Sequence, residues 1–285
     1  MNDNNRNLIL VIIVLVIIAF CCVALVVGAL LAGGLGLRLA GNVGGLGNVV
    51  ASNTYSQGFN VDTPAELRVD VSVGSVEIQV GQGNTIAVNA EIRGYGSTQA
   101  QAQEALDQVR FDVTQSGSRV EVTGNWPSGV RWPGRSPEMD VRITVPERAA
   151  LSVKMDVGSV TLAGTQGDVD VKVNVGKVDV RDVMVPDSLS LQTDVADIYF
   201  EGALSQGARY DFSSDVGAVR LVLPADSRFA IDASSNVGSV RVDFDVVGTS
   251  SGDLVGKTVQ GVVNGGADTP VTIRSDVGAI TVRSQ

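Results

Sequence analysis

The residues of this sequence that could carry out acid–base chemistry are carboxylates, because the chain of 285 residues contains no histidine. The absence of histidine excludes Ser-His-Asp triads, Cys-His pairs and histidine-bound zinc. Paired acids such as Asp168 with Asp170 and Asp194 with Asp197 could form the carboxylate pair of a polysaccharide-processing enzyme. Such an enzyme needs two carboxyl groups about 5 to 10 Å apart in one cleft. Because these acids alternate with valines, as on a solvated strand exterior, we predict no catalytic residue and no cofactor.

A second set of polar residues precedes a valine that returns along the chain. These residues are Asp156, Asn174, Asp194, Asp215, Asn236 and Asp276. If successive copies stack as strands about 4.8 Å apart, the six side chains form an outward column in which only Asp194 and Asp215 are neighbouring carboxylates. Calcium prefers clusters of carboxylate and carbonyl oxygens, but Asp or Asn beside a turn ordinarily accepts backbone amide hydrogen bonds. We therefore predict a structural column that caps corner amides, with no specific metal.

The elements that would position this column are short repeats. From Val157 onward the recurring valines are separated by 18, 20, 21, 21 and 40 residues, which gives a period near 20 with one degenerate copy. A fixed period of this size is typical of stacked repeats. We predict an all-β fold in which residues 150–285 form a single-stranded parallel β-solenoid (β-helix) of roughly 20-residue rungs. Each rung would contribute two short strands around a glycine-containing corner.

Alternation along one repeat predicts which side chains face inward. Tyr210, Phe212, Ser214 and Val216 alternate with polar residues up to the corner, and the neighbouring copies follow the same template. The inward hydroxyls share one position, two residues before the corner valine: Thr193, Ser214, Ser235 and Ser275. Since a buried hydroxyl without a partner is costly, we predict that they stack as a ladder and hydrogen-bond the corner backbone.

Residues 55–149 show a less regular version of the same pattern. The segment 97–109 is the one good helical signal here, with Thr98 as its cap, and we predict that this helix covers the open N-terminal end of the stack. The loop 125–137 is rich in proline and turn formers, and contains Trp126, Arg131, Trp132 and Arg135. These four residues could form a platform for sugar rings or a partner protein. The alternative is that both tryptophans fold back over the side of the solenoid.

The N-terminal region predicts membrane attachment. After a short polar head, residues 1–7, Leu8 to Ala32 is an uncharged apolar run long enough to cross a bilayer as a helix, and it contains both cysteines of the chain. A cleaved signal peptide usually has a shorter apolar core of about 7 to 15 residues. A glycine-rich tether, residues 33–54, follows. This arrangement is typical of a signal anchor, so we expect a single-pass membrane protein whose C-terminal domain lies outside the cytoplasm.

Several of these features together resemble a known family. They are the Asp/Asn/Ser-Val-Gly-x-Val/Ile corners, the proline-terminated strand Val141 to Pro146, the helix between early strands, and the run Gly261 to Gly266 followed by Val271 to Val282. Over residues 60–285 the chain resembles the bacterial putative-adhesin family of β-strand-repeat domains, a domain of unknown function. The resemblance implies a β-solenoid in the cell envelope, often attached to a membrane helix. It transfers no binding residue to this chain.

Two functional hypotheses follow from different classes. The first is a membrane-anchored, non-enzymatic envelope module that binds a surface protein or carbohydrate in the manner of an adhesin. The second is a structural scaffold that forms a homo-oligomer through the solenoid ends. A formal net charge of −10 argues against a nucleic-acid partner, whose phosphates require a basic surface. A carboxylate-dependent polysaccharide-processing enzyme is a remote third hypothesis.

Overall fold

The computed structural model describes residues 49–127, 129–130, 132, 135–252 and 256–285. The predicted head (1–7), the membrane helix (8–32) and most of the tether lie outside these residues. Within the described part of the chain, no helix is long and apolar enough to cross a membrane. The first strand begins at Val49, so the last residues assigned to the tether belong to the folded domain.

The fold is all-β with one short helix. In the described residues the strands join one large sheet, and the elements in chain order are β1 (Val49–Asn60), β2 (Ala65–Val80), β3 (Thr85–Gly96), α1 (Gln99–Asp107), β4 (Arg110–Ser116), β5 (Arg119–Asn125), β6 (Glu138–Val145), β7 (Ala149–Ala163), β8 (Val169–Arg181), β9 (Ser188–Glu201), β10 (Arg209–Val216), β11 (Val219–Leu223), β12 (Phe229–Val237), β13 (Val240–Val242), β14 (Val246–Gly252), β15 (Lys257–Val263), β16 (Pro270–Val277) and β17 (Ile280–Ser284).

Strands of the central region stack in parallel and in register. We call a rung a long strand, or two consecutive strands, bent at one corner. The first rung of the parallel stack is formed by β5 and β6, and the second by β2. The following rungs, each paired with the one before it, are β7, β8, β9, β10–β11, β16–β17 and β12–β13. Equivalent positions face each other throughout, as Val157 faces Val175. The sequence period therefore corresponds to one rung.

The two ends of the sheet are antiparallel. At one end β1 pairs with β3, β3 with β6, and β4 with β5. At the other end β12 pairs with β15, and β15 with β14. The sheet is therefore mixed, and the uniformly parallel solenoid predicted from the period is not confirmed. Short turns connect antiparallel strands, whereas a parallel neighbour needs a longer return, so hairpins are the simpler way to end the stack.

The order of the last rungs differs from the order along the chain. We predicted that the rung after Val216 is the one containing Val237, with a degenerate copy before Val277. Instead, β16–β17 lies between β10–β11 and β12–β13, so Val277 faces both Val216 and Val237. The interval of 40 residues contains the β14–β15 hairpin, which leaves the parallel stack before the chain returns to fill the remaining position.

Inward-facing residues form a continuous core between the two parts of each rung that meet at the corner. Its largest members include Phe200, Tyr210 and Phe212, whose rings meet edge to face at centroid distances of 6.1 Å for Phe200–Tyr210 and 5.6 Å for Phe200–Phe212. The Tyr210 hydroxyl accepts a hydrogen bond from the amide of Ser205 at 2.8 Å, which satisfies a polar atom that the core would otherwise leave without a partner. The alternation read from the sequence is confirmed at these positions.

The predicted hydroxyl ladder is confirmed. Thr193, Ser214, Ser275 and Ser235 are buried and stack in this order. The Thr193 and Ser214 hydroxyls both donate to the carbonyl of Ala196, at 3.1 and 3.0 Å. The Ser275 and Ser235 hydroxyls donate to the corner carbonyls of Gly217 and Gly278, each in the preceding rung, at 3.2 and 2.8 Å. Each hydroxyl therefore ties the inside of a rung to a corner.

The helix predicted at 97–109 is confirmed as α1. The Thr98 side chain caps it by accepting a hydrogen bond from the amide of Gln101. Its buried face, formed by Ala102, Ala105 and Leu106, packs against β1 and β3 at the N-terminal end of the sheet. Gly94 in β3 allows the close approach, because a Cβ atom at this position would overlap the backbone of the helix.

Candidate functional site

The corners of the rungs form a continuous line on the surface of the molecule. One valine per rung faces its equivalent in the next rung, and we call these seven residues the corner valines: Val73, Val157, Val175, Val195, Val216, Val277 and Val237. Four of them, Val157, Val175, Val216 and Val237, are 37 to 39% exposed. At about 4.8 Å per step, the six steps give an apolar stripe roughly 29 Å long.

The position of the corner valines corrects the sequence prediction. Strict alternation placed Val216 inward, on the same face as Ser214, but Asp215 and Val216 are both exposed. The bend at the following glycine interrupts the pleat, so two successive side chains face solvent. A stripe that was predicted to belong to the core is therefore available for contact.

Glycine is required where the rungs approach each other most closely. Gly176 has φ +147°, which L side chains rarely adopt, and a Cβ atom there would overlap the carbonyl oxygen of Gly158. At this corner the two rungs can therefore stack at strand spacing only if residue 176 has no side chain. In β9 the corner residue is Ala196, which is buried. The corner thus exposes valine and polar residues, while its inner side is tightly packed backbone.

The predicted column of Asp and Asn residues runs beside the corner valines. Asn174 donates to Asp156 at 3.2 Å and Asn236 donates to Asp276 at 2.8 Å, so neighbouring rungs are joined by side-chain hydrogen bonds. The predicted contacts to corner amides are not among the hydrogen bonds that these residues make in the described structure. The corner amide of Ala218 is instead capped by Asp197, at 2.8 Å.

The order of the column also differs from the prediction. Because Val277 lies between Val216 and Val237, Asp276 lies between Asp215 and Asn236. Asp194, Asp215 and Asp276 are therefore three consecutive carboxylates, whereas the sequence suggested one adjacent pair. Among the described residues, no group of three or more His, Cys, Asp or Glu side chains is placed to hold a metal ion. The result is an acidic edge along one part of the apolar stripe.

The proline-rich loop occupies the corner of the rung next to β2. In that rung Gly124 of β5 faces Val71, and Met139 of β6 faces Gly74, so the ends of β5 and β6 flank the position where β2 has its corner valine. Topology therefore brings the loop and the column, which the sequence singled out separately, to the same line of corners. The loop lies at the end of the line that begins with Val73.

The loop places the two tryptophans together. The Trp126 and Trp132 rings meet edge to face with centroids 6.0 Å apart, and both are half-buried. Trp126 packs against the hydrophobic core, which favours the alternative that the tryptophans fold back over the body of the molecule. Both rings keep part of their surface exposed, and the register of β5 and β6 with β2 puts their loop at the Val73 end of the line of corners.

Of the two arginines in this loop, the structure describes Arg135, and it contacts residues of the sheet. Arg135 lies with its guanidinium 4.5 Å from the ring centroid of Tyr95 and 2.6 Å from Glu138. Its charge is therefore used in contacts with β3 and β6. Arg131 lies outside the described residues.

Two polar clusters were missed in the sequence. In the first, Arg93 of β3 pairs with Asp140 and lies 3.7 Å from Glu138, both in β6. Burial raises the pKa of Tyr95, and its hydrogen bond to Glu138 acts in the same direction. The antiparallel register of β3 and β6 brings these residues together. That register depends on strands more than 40 residues apart, so no local pattern signals it.

The second cluster surrounds Asp179, which is almost buried between Lys177 and Arg181. Burial alone would raise the pKa of Asp179, but hydrogen bonds from Arg181 and Lys177 outweigh this and lower it. Arg181 also lies over the Tyr199 ring, 5.0 Å from its centroid. Lys177, Asp179 and Arg181 are two residues apart along one strand, so their side chains lie on the same face. This spacing was visible in the sequence.

One acid of each pair that could have suggested catalysis has structural contacts. Asp168 accepts hydrogen bonds from the amides of Asp187 and Ser188, at 3.1 and 2.9 Å, and so fixes the turn before β9. Asp197 caps the corner of the neighbouring rung. These carboxylates stabilise turns and corners by accepting backbone hydrogen bonds.

Comparison with known proteins gives similarities at the level of solved structures. No protein-family model and no curated protein matches the chain. A putative cell adhesion protein from Clostridium sporogenes is 14% identical, with a TM-score of 0.47 over 82% of this chain and 100% of that chain. A putative adhesin from Bacteroides fragilis is 14% identical, with a TM-score of 0.42 over 81% and 97%. A putative lipid binding protein from Parabacteroides distasonis is 9% identical, with a TM-score of 0.33 over 81% and 97%.

Proposed function

We propose that this chain is a membrane-anchored, non-enzymatic binding module of the adhesin type, built as a β-solenoid with antiparallel ends. Its contact surface is the line of corners from the tryptophan pair to Val237. The observation that carries the proposal is the register of the corner valines, which leaves a contiguous apolar stripe partly open to solvent. Contiguous exposed apolar surface on a folded domain is typical of an interaction site.

Charge along the stripe favours a protein partner. The carboxylates of Asp194, Asp215 and Asp276 border the valines, so an apolar partner surface with lysine or arginine at its rim would be complementary. A partner with acidic residues at the same places would be repelled. Carbohydrate is the second candidate ligand, because exposed faces of Trp126 and Trp132 could stack on sugar rings.

Membrane attachment and export are part of the proposal and depend on the sequence. The uninterrupted apolar run Leu8 to Ala32 follows a very short polar head, so insertion would leave the large domain on the far side of the membrane. On the far side of the membrane, the corner stripe would be accessible to a partner outside the cytoplasm.

The second candidate function, a self-associating scaffold, is favoured by a different feature. The strand β14 ends the sheet with an exposed edge, and β15 separates it from β12, the strand that carries the last corner valine. Association through this edge would leave the corner valines free, so the two functions are compatible in one molecule.

The proposal can be tested with cells that produce the full chain and are applied to a printed panel of matrix proteins and polysaccharides. We expect attachment to at least one panel component. Replacing Val175 and Val216 together by lysine should reduce attachment by about tenfold or more, because charge replaces apolar contact at the centre of the stripe.

The matched control replaces Gln79 and Gln192 by lysine, which adds the same charge at exposed positions away from the corners. The control should attach within about twofold of the wild type. Equal losses in both double variants, at equal amounts of protein on the cells, would contradict the assignment of the corner stripe. Attachment to no panel component would contradict binding to matrix proteins and polysaccharides as the function.

A further inference from the structure

We infer that two copies of this chain pair with each other through the free edge of β14. In the described residues β14 pairs with β15 along seven consecutive positions, from Val246 opposite Val263 to Gly252 opposite Lys257, and with no other strand. By contrast, β15 is paired on both sides, with β12 and β14. The outer edge of β14 therefore presents backbone N–H and C=O groups that another strand could pair with.

The edge lacks the features that normally prevent such pairing. Proteins protect edge strands with charged residues, proline, bulges or a covering element. The sequence of β14 contains no charged residue and no proline, and its register with β15 has no bulge. Six of its seven residues are exposed, and Val247 is 81% exposed. The strand is thus an exposed, uncharged template for another strand.

The opposite end of the sheet is better covered. There β1 is also an edge strand without charged residues, but α1 packs against it, and the rings of Tyr55 and Phe111 meet 5.3 Å apart between β1 and β4. The carbonyl of Asn60, the last residue of β1, accepts a hydrogen bond from Gln115 of β4 at 2.6 Å.

A second copy is the partner that this edge fits. Antiparallel pairing of β14 with itself brings the same residues together on both sides, and centring it on Thr249 closes the contact after two copies. Within residues 246–252 no like charges meet across such a contact, because the strand itself has none. The edge also lacks the side-chain charges that would select a basic or acidic peptide. The inference rests on the second candidate function, self-association, and its test measures the oligomeric state, so its failure would leave binding through the corner valines untouched.

Sedimentation velocity on the full chain in detergent micelles tests the inference directly. We expect a concentration-dependent equilibrium between monomer and dimer. In Thr249→Lys the two copies would bring like charges about 5 Å apart at the centre of the contact, so the dimer dissociation constant should rise by about tenfold or more. Gln260→Lys is the matched control, because Gln260 lies opposite Thr249 on the fully paired strand β15. Its dissociation constant should stay within about twofold of the wild type.

Disulfide cross-linking gives a second measurement in a background with Cys21→Ala and Cys22→Ala. Directly opposed residues of an antiparallel pair lie about 4.5 to 5.5 Å apart between Cα atoms, which a disulfide can bridge. Thr249→Cys should form a covalent dimer under mild oxidation, and Ser213→Cys, in the middle of the stack, should not. A monomer at all concentrations would overturn the inference. So would a dimer unaffected by Thr249→Lys, or equal cross-linking of the two cysteine variants.

Discussion

Removing the hydroxyls that meet at Ala196 tests how the rungs are held together. Ser214 is 1% exposed and its hydroxyl donates to the Ala196 carbonyl, which also accepts from Thr193 of the neighbouring rung. In Ser214→Ala or Thr193→Val the carbonyl keeps one hydroxyl donor, so each single change should cost about 1 kcal/mol of unfolding free energy. Thr193→Val preserves the side-chain shape, and valine is the natural residue at the equivalent position of the neighbouring rung, Val173.

The double variant should lose more than the sum of the single changes. In the double variant the Ala196 carbonyl has lost both hydroxyl donors. Leaving a buried carbonyl without such donors lowers the free energy of unfolding by about 1 to 3 kcal/mol. We therefore expect a coupling of about 1 kcal/mol beyond additivity. For a domain of this size, 1 kcal/mol corresponds to about 2 to 4 °C in Tm.

The assay is thermal unfolding of the full chain in detergent, followed by circular dichroism for the wild type, both single variants and the double variant. Thr193→Ser is the control, because it keeps the hydroxyl and should retain most of the stability. A double variant whose loss equals the sum of the single losses would refute the shared-acceptor reasoning. An increase in Tm for Ser214→Ala would show that the hydroxyl is not satisfied where the structure places it.

Three further predictions concern the corners, the acid response and the compartment. Gly176→Ala should lower the free energy of unfolding in urea by about 3 kcal/mol or more, because the alanine has an unfavourable φ and overlaps the neighbouring rung. Gly83→Ala is the control: nothing lies within 4 Å of its added Cβ atom, so the loss should be about 1 to 2 kcal/mol. Folding lowers the pKa of Asp179 below its ordinary 3.8, so this carboxylate stabilises the fold above that pH, and the stabilisation is lost as the pH falls through the folded pKa. Asp179→Asn should therefore melt at a lower temperature than the wild type at pH 7. Its Tm should also fall less than that of the wild type when the pH is lowered. Protease added to intact cells, after permeabilisation of any outer membrane, should digest residues 49–285, and full protection would contradict export.

Features with a local cause could be predicted from the sequence. The cap of α1 at Thr98 follows from one side chain at a helix start, and the inward hydroxyls follow from alternation along single strands. The loop 125–137 could be placed outside the strands because proline cannot take part in a central ladder. Each of these inferences needs only residues that are close together in the chain.

Features that depend on the order of the rungs could not be predicted in the same way. All repeats share one template, so the sequence does not specify that Asp276 rather than Asn236 follows Asp215 in the stack. The pairing of Arg93 with Asp140 depends equally on a register between distant strands. The exposure of Val216 was missed for another reason, since alternation holds only while the strand is straight and the corner glycine ends it.

The most direct test of the corner stripe is site-specific photo-cross-linking on cells attached to a panel component. A photoreactive amino acid would replace Val175, at the centre of the stripe, or Gln192, on an exposed strand face away from it. The account predicts an adduct between the chain and the attached component from position 175 and none from position 192. Adducts from position 192 alone, or equal yields from both positions, would contradict the claim that the corner valines form the binding surface.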